Sequence, residues 1–351
     1  MYGNMETLLK SIARSARRYR YHRLHVMQAT RILACIEEHR GNISEADRGL
    51  CDQYALDVFG HAHFAAWLYV YSAISGRFKE GWIPDNYYGS IVVPKVKGDY
   101  GAISSLKPLN AAVFRSDLFP DLLSYVNGVF FDPQSQFVPV EEVRSVLFRE
   151  QDRVIYKLDN SLQGKGIHCF SDDTFRIEEV QRLGNGLFQK FIEQNGLFAE
   201  FAIGSVATIR ITTVYENNGD VSVRGCYLRL GDKGDTHVQS RSHIRVPIDL
   251  ETGGFGEVGY TPEWVEIDVH PTSGLAFSGH FIPRFRECVD EVVALHKKVP
   301  YARCIGWDVT VDSEEKVNLM EWNGEHNDIK FAEATQGPCF LGLGWEELRK
   351  E

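Results

Sequence analysis

The sequence predicts an α+β protein, with an N-terminal helical region followed by a half in which short strands alternate with a few helices. Two patterns and a composition predict it. Residues 5–40 and 45–76 carry apolar side chains at helical spacing, whereas from 151 onward the chain breaks into short β-rich runs separated by turn residues. Over 351 residues, 44% are apolar and 25% charged, as in a packed globular chain with room for two or three subdomains.

In residues 5–40 the candidate apolar positions are Leu9, Ile12, Leu24, Met27, Ile32 and Ile36, while Arg14, Arg17, Arg18, Arg20 and Arg23 supply a basic surface. Ser44 with Asp47 resembles a capping box opening a second helical region, roughly 45–76. Residues 77–105, punctuated by Gly, Pro and Trp, read as an irregular covering loop. Its Trp82, Tyr87 and Tyr88 either pack the loop or stack on a sugar. A further helix is expected over 107–128. Strands follow at 154–158, 187–192, 208–214 and 221–230, then a helix at 284–298 and strands at 303–311 and 316–323.

Several function classes drop out. No apolar run reaches the roughly 18 residues of a spanning helix, and no secretory leader pattern opens the chain. Seven cysteines form no CxxC pair, which suits reduced thiols and a cytoplasmic location. Net charge is −10, but residues 1–40 hold eight Lys/Arg against three Asp/Glu, +5, leaving −15 for the remainder. So acidic a remainder argues against nucleic acid as partner, yet it allows a nucleotide site in which a cation joins carboxylates to phosphate.

The densest chemistry lies in Ile305-Gly-Trp-Asp308 through Glu321-Trp-Asn323, two strand-like runs flanking a polar turn. With the turn centred on Glu314 and Glu315, Asp312 faces Val317, Thr310 faces Leu319 and Asp308 faces Glu321. Asn323 then shares the Glu321 face. Opposed carboxylates about 5 Å apart repel, so the arrangement makes sense with a cation between them. Asp, Glu and an Asn carbonyl suit Mg²⁺. The alternative is a surface hairpin whose acids point into water. His61 and His63, two apart on a helix, face different ways and make no competing ligand set.

Lys157 leads from a β-run into a polar loop, Ser161-Leu-Gln-Gly164-Lys-Gly166. Glycines that admit phosphate to backbone N–H groups, beside a lysine, fit a phosphate flap; a plain hairpin turn fits as well. Gly254-Phe-Gly256-Glu-Val-Gly259 spells GxGxxG but lacks the strand-before, helix-after context, and reads as turns. Phe188-Gln189-Lys190-Phe191-Ile192 is either a core strand or an edge against which a purine rests. Arg210, inside a β-branched run, needs an anionic partner, either a phosphate or an internal acid.

In this order and spacing the pieces resemble the ATP-grasp superfamily over roughly residues 105–330. The Thr208-Ile-Arg210-Ile-Thr, Tyr227-Leu-Arg229-Leu-Gly and Pro247–Gly253 stretches are similar to its sugar-transfer-associated group, which is linked with surface-polysaccharide assembly. The resemblance implies two α+β lobes clasping ATP behind an N-terminal helical region: 1–105, then 106–204 with the glycine loop and linker, then 205–351 with the metal set. It implies that Lys157, Ser161, Gly164 and Gly166 meet the phosphates. Gln189, Lys190 and Ile192 would line the adenine and Gln194 the ribose, while Asp308, Glu321 and Asn323 hold two Mg²⁺, with Mn²⁺ as a substitute. Arg210 and Arg229 would neutralise the transferring phosphate. The implied activity is carboxylate–amine ligation through an acyl phosphate, joining an amine or amino acid to a sugar carboxylate. A kinase acting on a hydroxyl and a nucleotide-binding interaction protein of the glycan machinery are the alternatives. Asp235–Ser240 departs from the group's Asp-Asn pair, and Gly306 stands where some ligases carry an arginine. The basic N-terminal helix is most simply a solvated face; a membrane or glycosyltransferase contact is the other reading.

Overall fold

The structure, a computed structural model, describes residues 2–350 except 160, 162–165, 203 and 232–242; for 2–6, 8 and 9 it describes the backbone alone. Gly164, Asp235–Ser240 and the side chain of Leu9 lie outside what is described. The chain divides into two compact units. One comprises 1–98, 263–265 and 328–351, the other 99–262 and 266–327.

The first unit is helical. Helix α1 (Tyr2–Arg40) buries Ala29, Ile32, Leu33 and Ile36, whereas the candidate apolar positions Ile12, Leu24 and Met27 are exposed. The 45–76 region is helical as expected, in two α-helices joined through a short 3₁₀ turn. α2 (Glu45–Asp57) starts on the Ser44 cap, whose hydroxyl accepts the Asp47 N–H, and α3 (Ala65–Ser75) ends on left-handed Gly76. Between them Gly60 has positive φ and His61 is extended. His61 and His63 therefore do not lie on one regular helix, and their rings stack 3.8 Å apart.

Residues 77–98 are not a covering loop. Trp82, Tyr87 and Tyr88 are completely buried, which leaves no ring face for a sugar. Trp82 donates to the Glu333 carbonyl, and the Tyr87 hydroxyl to the Trp345 carbonyl. The Glu333 carboxylate is itself fully buried and accepts the Ile83 and Cys339 N–H groups, each at 2.7 Å. Burial outweighs those bonds and pushes its carboxyl up to about 8. A raised acid binds a proton that the unfolded chain has released. Stability from this group is therefore present below pH 4.5 and is lost as pH rises through about 8. The melting midpoint of the parent is expected to fall between pH 6 and 9 more steeply than that of Glu333→Gln, a neutral mimic. Parallel pH profiles for the two proteins in calorimetry would refute the assignment.

The second unit contains two antiparallel sheets. The first has the order β3-β2-β1-β6-β4-β5, built from β1 (Asp121–Val126), β2 (Val129–Phe131), β3 (Phe137–Val138), β4 (Arg153–Leu158), β5 (Ile167–Ser171) and β6 (Gly186–Lys190). The helix expected over 107–128 is instead a short turn and helix, Lys107–Phe114, followed by β1. Period-two alternation puts Val154, Tyr156 and Phe188 against the helices Val140–Leu147 and Ile177–Leu183. Ile155, Lys157, Leu187 and Gln189 therefore occupy the other face, with Asp121 paired to Gln189.

The second sheet runs β11-β10-β9-β8-β7-β12-β13. Its strands are β7 (Thr208–Tyr215), β8 (Val221–Leu230), β9 (Ile244–Pro247), β10 (Gly259–Tyr260), β11 (Glu266–Ile267), β12 (Cys304–Val311) and β13 (Val317–Asn323). Ile209, Ile211, Leu228, Ile305, Trp307 and Val309 form one core with the helix Phe285–His296. That burial commits the intervening residues, Arg210, Arg229 and Asp308, to the opposite face. β12 lies between β7 and β13 and is buried at every position, so the acid-bearing run is a central strand and not a surface hairpin.

Candidate functional site

The β12–β13 register pairs Gly306 with Asn323, Trp307 with Trp322 and Asp308 with Glu321, then shifts to Val309–Leu319, Thr310–Asn318 and Val311–Val317. Asp308 faces Glu321 as expected. The expected Thr310–Leu319 and Asp312–Val317 pairs do not form, because Met320 is an extra residue on β13, a β-bulge. The bulge has a chemical consequence. Leu319 belongs to the core, and strict alternation from it would send Glu321 into the core as well. One inserted residue resets the phase, so that Glu321 and Asn323 join Asp308 while Trp322 stays buried. The bulged carbonyl is also spoken for, since Lys157 Nζ donates to the Met320 carbonyl at 3.1 Å. The lysine of the first sheet thus meets the acidic strand pair of the second.

Asp308 sits between two guanidiniums. Arg210 Nε and Nη2 reach its two oxygens at 2.5 and 3.1 Å, and Arg229 Nη2 lies 2.7 Å from Oδ1. Burial opposes ionisation of this carboxyl, but the arginines together outweigh it and hold it well below the ordinary carboxylate range. Arg229 Nε is buried without a hydrogen-bond partner. Gly306 leaves no room for the arginine that some ligases carry there. A Cβ would stand 2.9 Å from Asn327 Cβ and 3.3 Å from Arg210 Cδ, so Arg210 occupies that space from the neighbouring strand.

Glu321 is one-third exposed and Lys107 Nζ lies 3.8 Å from its Oε1. Lys107, itself buried, also donates to the Ser161 carbonyl at 3.2 Å. Sequence reasoning missed this lysine by placing it at the start of a helix, where the positive dipole end disfavours a cation; that conflict was the available signal. Burial lowers the Lys157 pKa, with Glu321 and then Asp121 pulling the other way. The Asp121 carboxyl is raised by burial to about 6, against the Gln189 hydrogen bond and Lys157. No sequence signal marked Asp121.

The remaining expected residues divide. Ser161 lies beside Lys107, and Gly166, at φ +77°, closes the β4–β5 turn with its carbonyl accepting the Leu158 N–H. Gln189 is buried, its Nε2 donating to Asp121 at 2.7 Å while its Oε1 has no partner. Lys190 alternates to the other face and extends towards Glu150, so only its backbone is near the Lys157 side, and its N–H already binds the Pro120 carbonyl. Ile192 is buried. The structure does not bring Gln194 to the cluster, because its amide donates to the Ala202 carbonyl and accepts the Ala207 N–H.

The donor set can be tested against a hard cation. Among the described residues no three His, Cys, Asp or Glu side chains are grouped to hold a metal; the cluster offers two carboxylates and an amide. Glu321 and the Asn323 amide oxygen are hard donors of the kind Mg²⁺ takes. Asn323 spends its Nδ2 on the Gly306 carbonyl at 3.2 Å and on Asp308 Oδ2 at 3.5 Å. The oxygens of Asp308 already carry guanidiniums. An incomplete protein shell is ordinary for Mg²⁺, which keeps water and phosphate as its other ligands.

Residues 178–343 match the family model described as sugar-transfer associated ATP-grasp. That segment is of the ATP-grasp superfamily. The matched segment runs from the helix preceding β6 past β13, and so contains both arginines and the Asp308–Glu321–Asn323 set. Solved structures to which the chain is similar include the biotin carboxylase domain of Hydrogenobacter thermophilus 2-oxoglutarate carboxylase, with MgADP and bicarbonate. The match is at 14% identity over 71% of this chain and 45% of that one, with a TM-score of 0.44. The ATP-grasp ligase PsnB matches at 14% identity over 73% and 62%, TM-score 0.39. An L-amino acid ligase from Bacillus licheniformis matches at 8% over 68% and 44%, TM-score 0.38. The chain spans less than two thirds of the length of these proteins. No curated protein matches it.

Proposed function

We propose that the chain is an ATP-dependent carboxylate–amine ligase, joining an amine or amino acid to a sugar carboxylate in surface-polysaccharide assembly. The observation that carries the reading is Lys157 of β4 donating to the bulged Met320 carbonyl beside Asp308 and Glu321. A cation donor from one sheet and oxygen donors from another then converge where a triphosphate can lie between them. The sugar-transfer description of the matching family model supports the glycan context.

In this reading Lys157 and Lys107 bind the phosphates together with Ser161 and Gly166, and Gln189 to Ile192 line the adenine. Glu321, Asn323 and Asp308 would hold Mg²⁺, which when bound supplies charge neutralisation for the transferring phosphoryl group. Arg210 and Arg229 orient and neutralise the γ-phosphate, a preorganised contribution of roughly 3–4 kcal/mol per donor at comparable sites. A substrate carboxylate oxygen attacks the γ-phosphorus, the bond to the β-bridging oxygen breaks, and ADP leaves with the electron pair. The amine then attacks the acyl carbon, the C–O bond to phosphate breaks, and the nitrogen loses a proton as the amide forms. Positioning of the two substrates is the larger part of the work.

The test is ADP release with Mg²⁺–ATP against uronic acids and amino acids in pairs, with mass spectrometry of the product. ADP and phosphate released together with an amide support the proposal. A phosphorylated hydroxyl replaces it with a kinase, and nucleotide binding without turnover replaces it with a binding protein.

A further inference from the structure

We infer that the outward face of α1 docks on an anionic lipid surface. This is independent of the ligase reading and rests on three observations. Between Thr7 and Ile36 the helix carries seven Lys/Arg and no Asp or Glu. Every side chain from Ser11 to Arg20 is exposed, so nearly three turns of the helix are covered by none of the described residues. Ile12, Tyr19, Leu24 and Met27 are exposed by 56, 70, 56 and 57%.

Three of these cations and three of the exposed apolar side chains share one side. At about 100° per residue, the buried row His22, Ala29, Ile32, Leu33 and Ile36 defines the inner face. Ile12, Arg20, Arg23, Leu24, Met27 and Arg31 fall within about 120° on the opposite side. A face that mixes long apolar chains with arginines suits a bilayer interface, where the apolar groups enter the headgroup boundary and the guanidiniums meet lipid phosphates. Charge decides between occupants. A second copy of this face would bring Arg20, Arg23 and Arg31 against the same three cations. A nucleic acid would satisfy the arginines but leave Leu24 and Met27 unused. With no acidic side chain among these cations, the face is complementary to an anionic leaflet.

The experiment is co-sedimentation of the full-length protein with phosphatidylcholine vesicles, with and without phosphatidylserine. Binding is expected only with phosphatidylserine, and it should be lost in high salt. Each cation near an anionic surface is worth roughly fivefold. Arg20→Gln/Arg23→Gln/Arg31→Gln should therefore bind about a hundredfold more weakly, with ATP turnover unchanged. Leu24→Ser/Met27→Ser should bind more weakly to the same vesicles while keeping the salt dependence. Equal binding to neutral vesicles, no binding to either, or an unaffected triple variant would overturn the inference. So would light scattering that shows a dimer dissociated by the Leu24/Met27 variant, since the face would then be a contact between copies.

Discussion

Glu321→Gln is expected to lower substrate-dependent ADP release by about 10²–10³-fold while leaving the melting midpoint almost unmoved. The separation follows from where the residue sits. Glu321 is one-third exposed, and its ion-pair distance to Lys107 is 3.8 Å, a weak, solvent-screened contact of the kind that adds little to stability. Its position, by contrast, is enforced. The Met320 bulge places it opposite Asp308 at the cost of a regular strand, and bulges of this sort commonly re-aim a side chain next to a site of chemistry. Steady-state ADP release and circular dichroism on the same preparation check both halves. Parent-like turnover would remove the acid–acid–amide set from the phosphate site; an unfolded variant would show that the carboxylate serves the fold instead.

How much of this was legible beforehand depends on which physical signal each residue carried. The Asp308–Glu321 opposition was readable, because two β-rich runs about a short polar turn leave few registers. The bulge was not, since the inserted Met320 looks like any strand residue; only the core membership of Leu319 reveals it. Arg210 was visible as a cation among β-branched residues, but sequence left open whether its anion is a phosphate or an internal acid. The structure gives it Asp308. β1 was misread as helix although Pro120, which ends a helix, stands directly before it, and Asp121 was lost with it. In the first unit, long-range partners 250 residues apart decided the outcome. The segment around Trp82 has loop-like composition, yet Glu333 organises its backbone. No local periodicity reports that.

Asp308→Asn is expected to behave in the opposite way from Glu321→Gln, losing stability as well as activity. The carboxylate is buried and holds Arg210 and Arg229 together. Removing its charge leaves two buried guanidiniums facing an amide that cannot neutralise either. Breaking a buried pair from one side costs about 3–5 kcal/mol, or roughly 10 °C in melting midpoint for a domain of this size. The parent should show the same dependence through pH. Because the folded carboxyl is depressed by the arginines, its contribution is complete above the ordinary aspartate range near pH 4. It is lost as pH falls further towards the folded value. The Asn variant should lack that acid-side component. It should also be rescued by anions, since guanidiniums deprived of Asp308 take up phosphate. Inorganic phosphate is then expected to raise its midpoint by more than it raises the parent's, and thermal scans at increasing phosphate measure that difference. A variant as stable as the parent, or one indifferent to phosphate, would show that the arginines do not depend on Asp308. It would also remove the grounds for reading them as the residues that pass from an internal carboxylate to the transferring phosphoryl group.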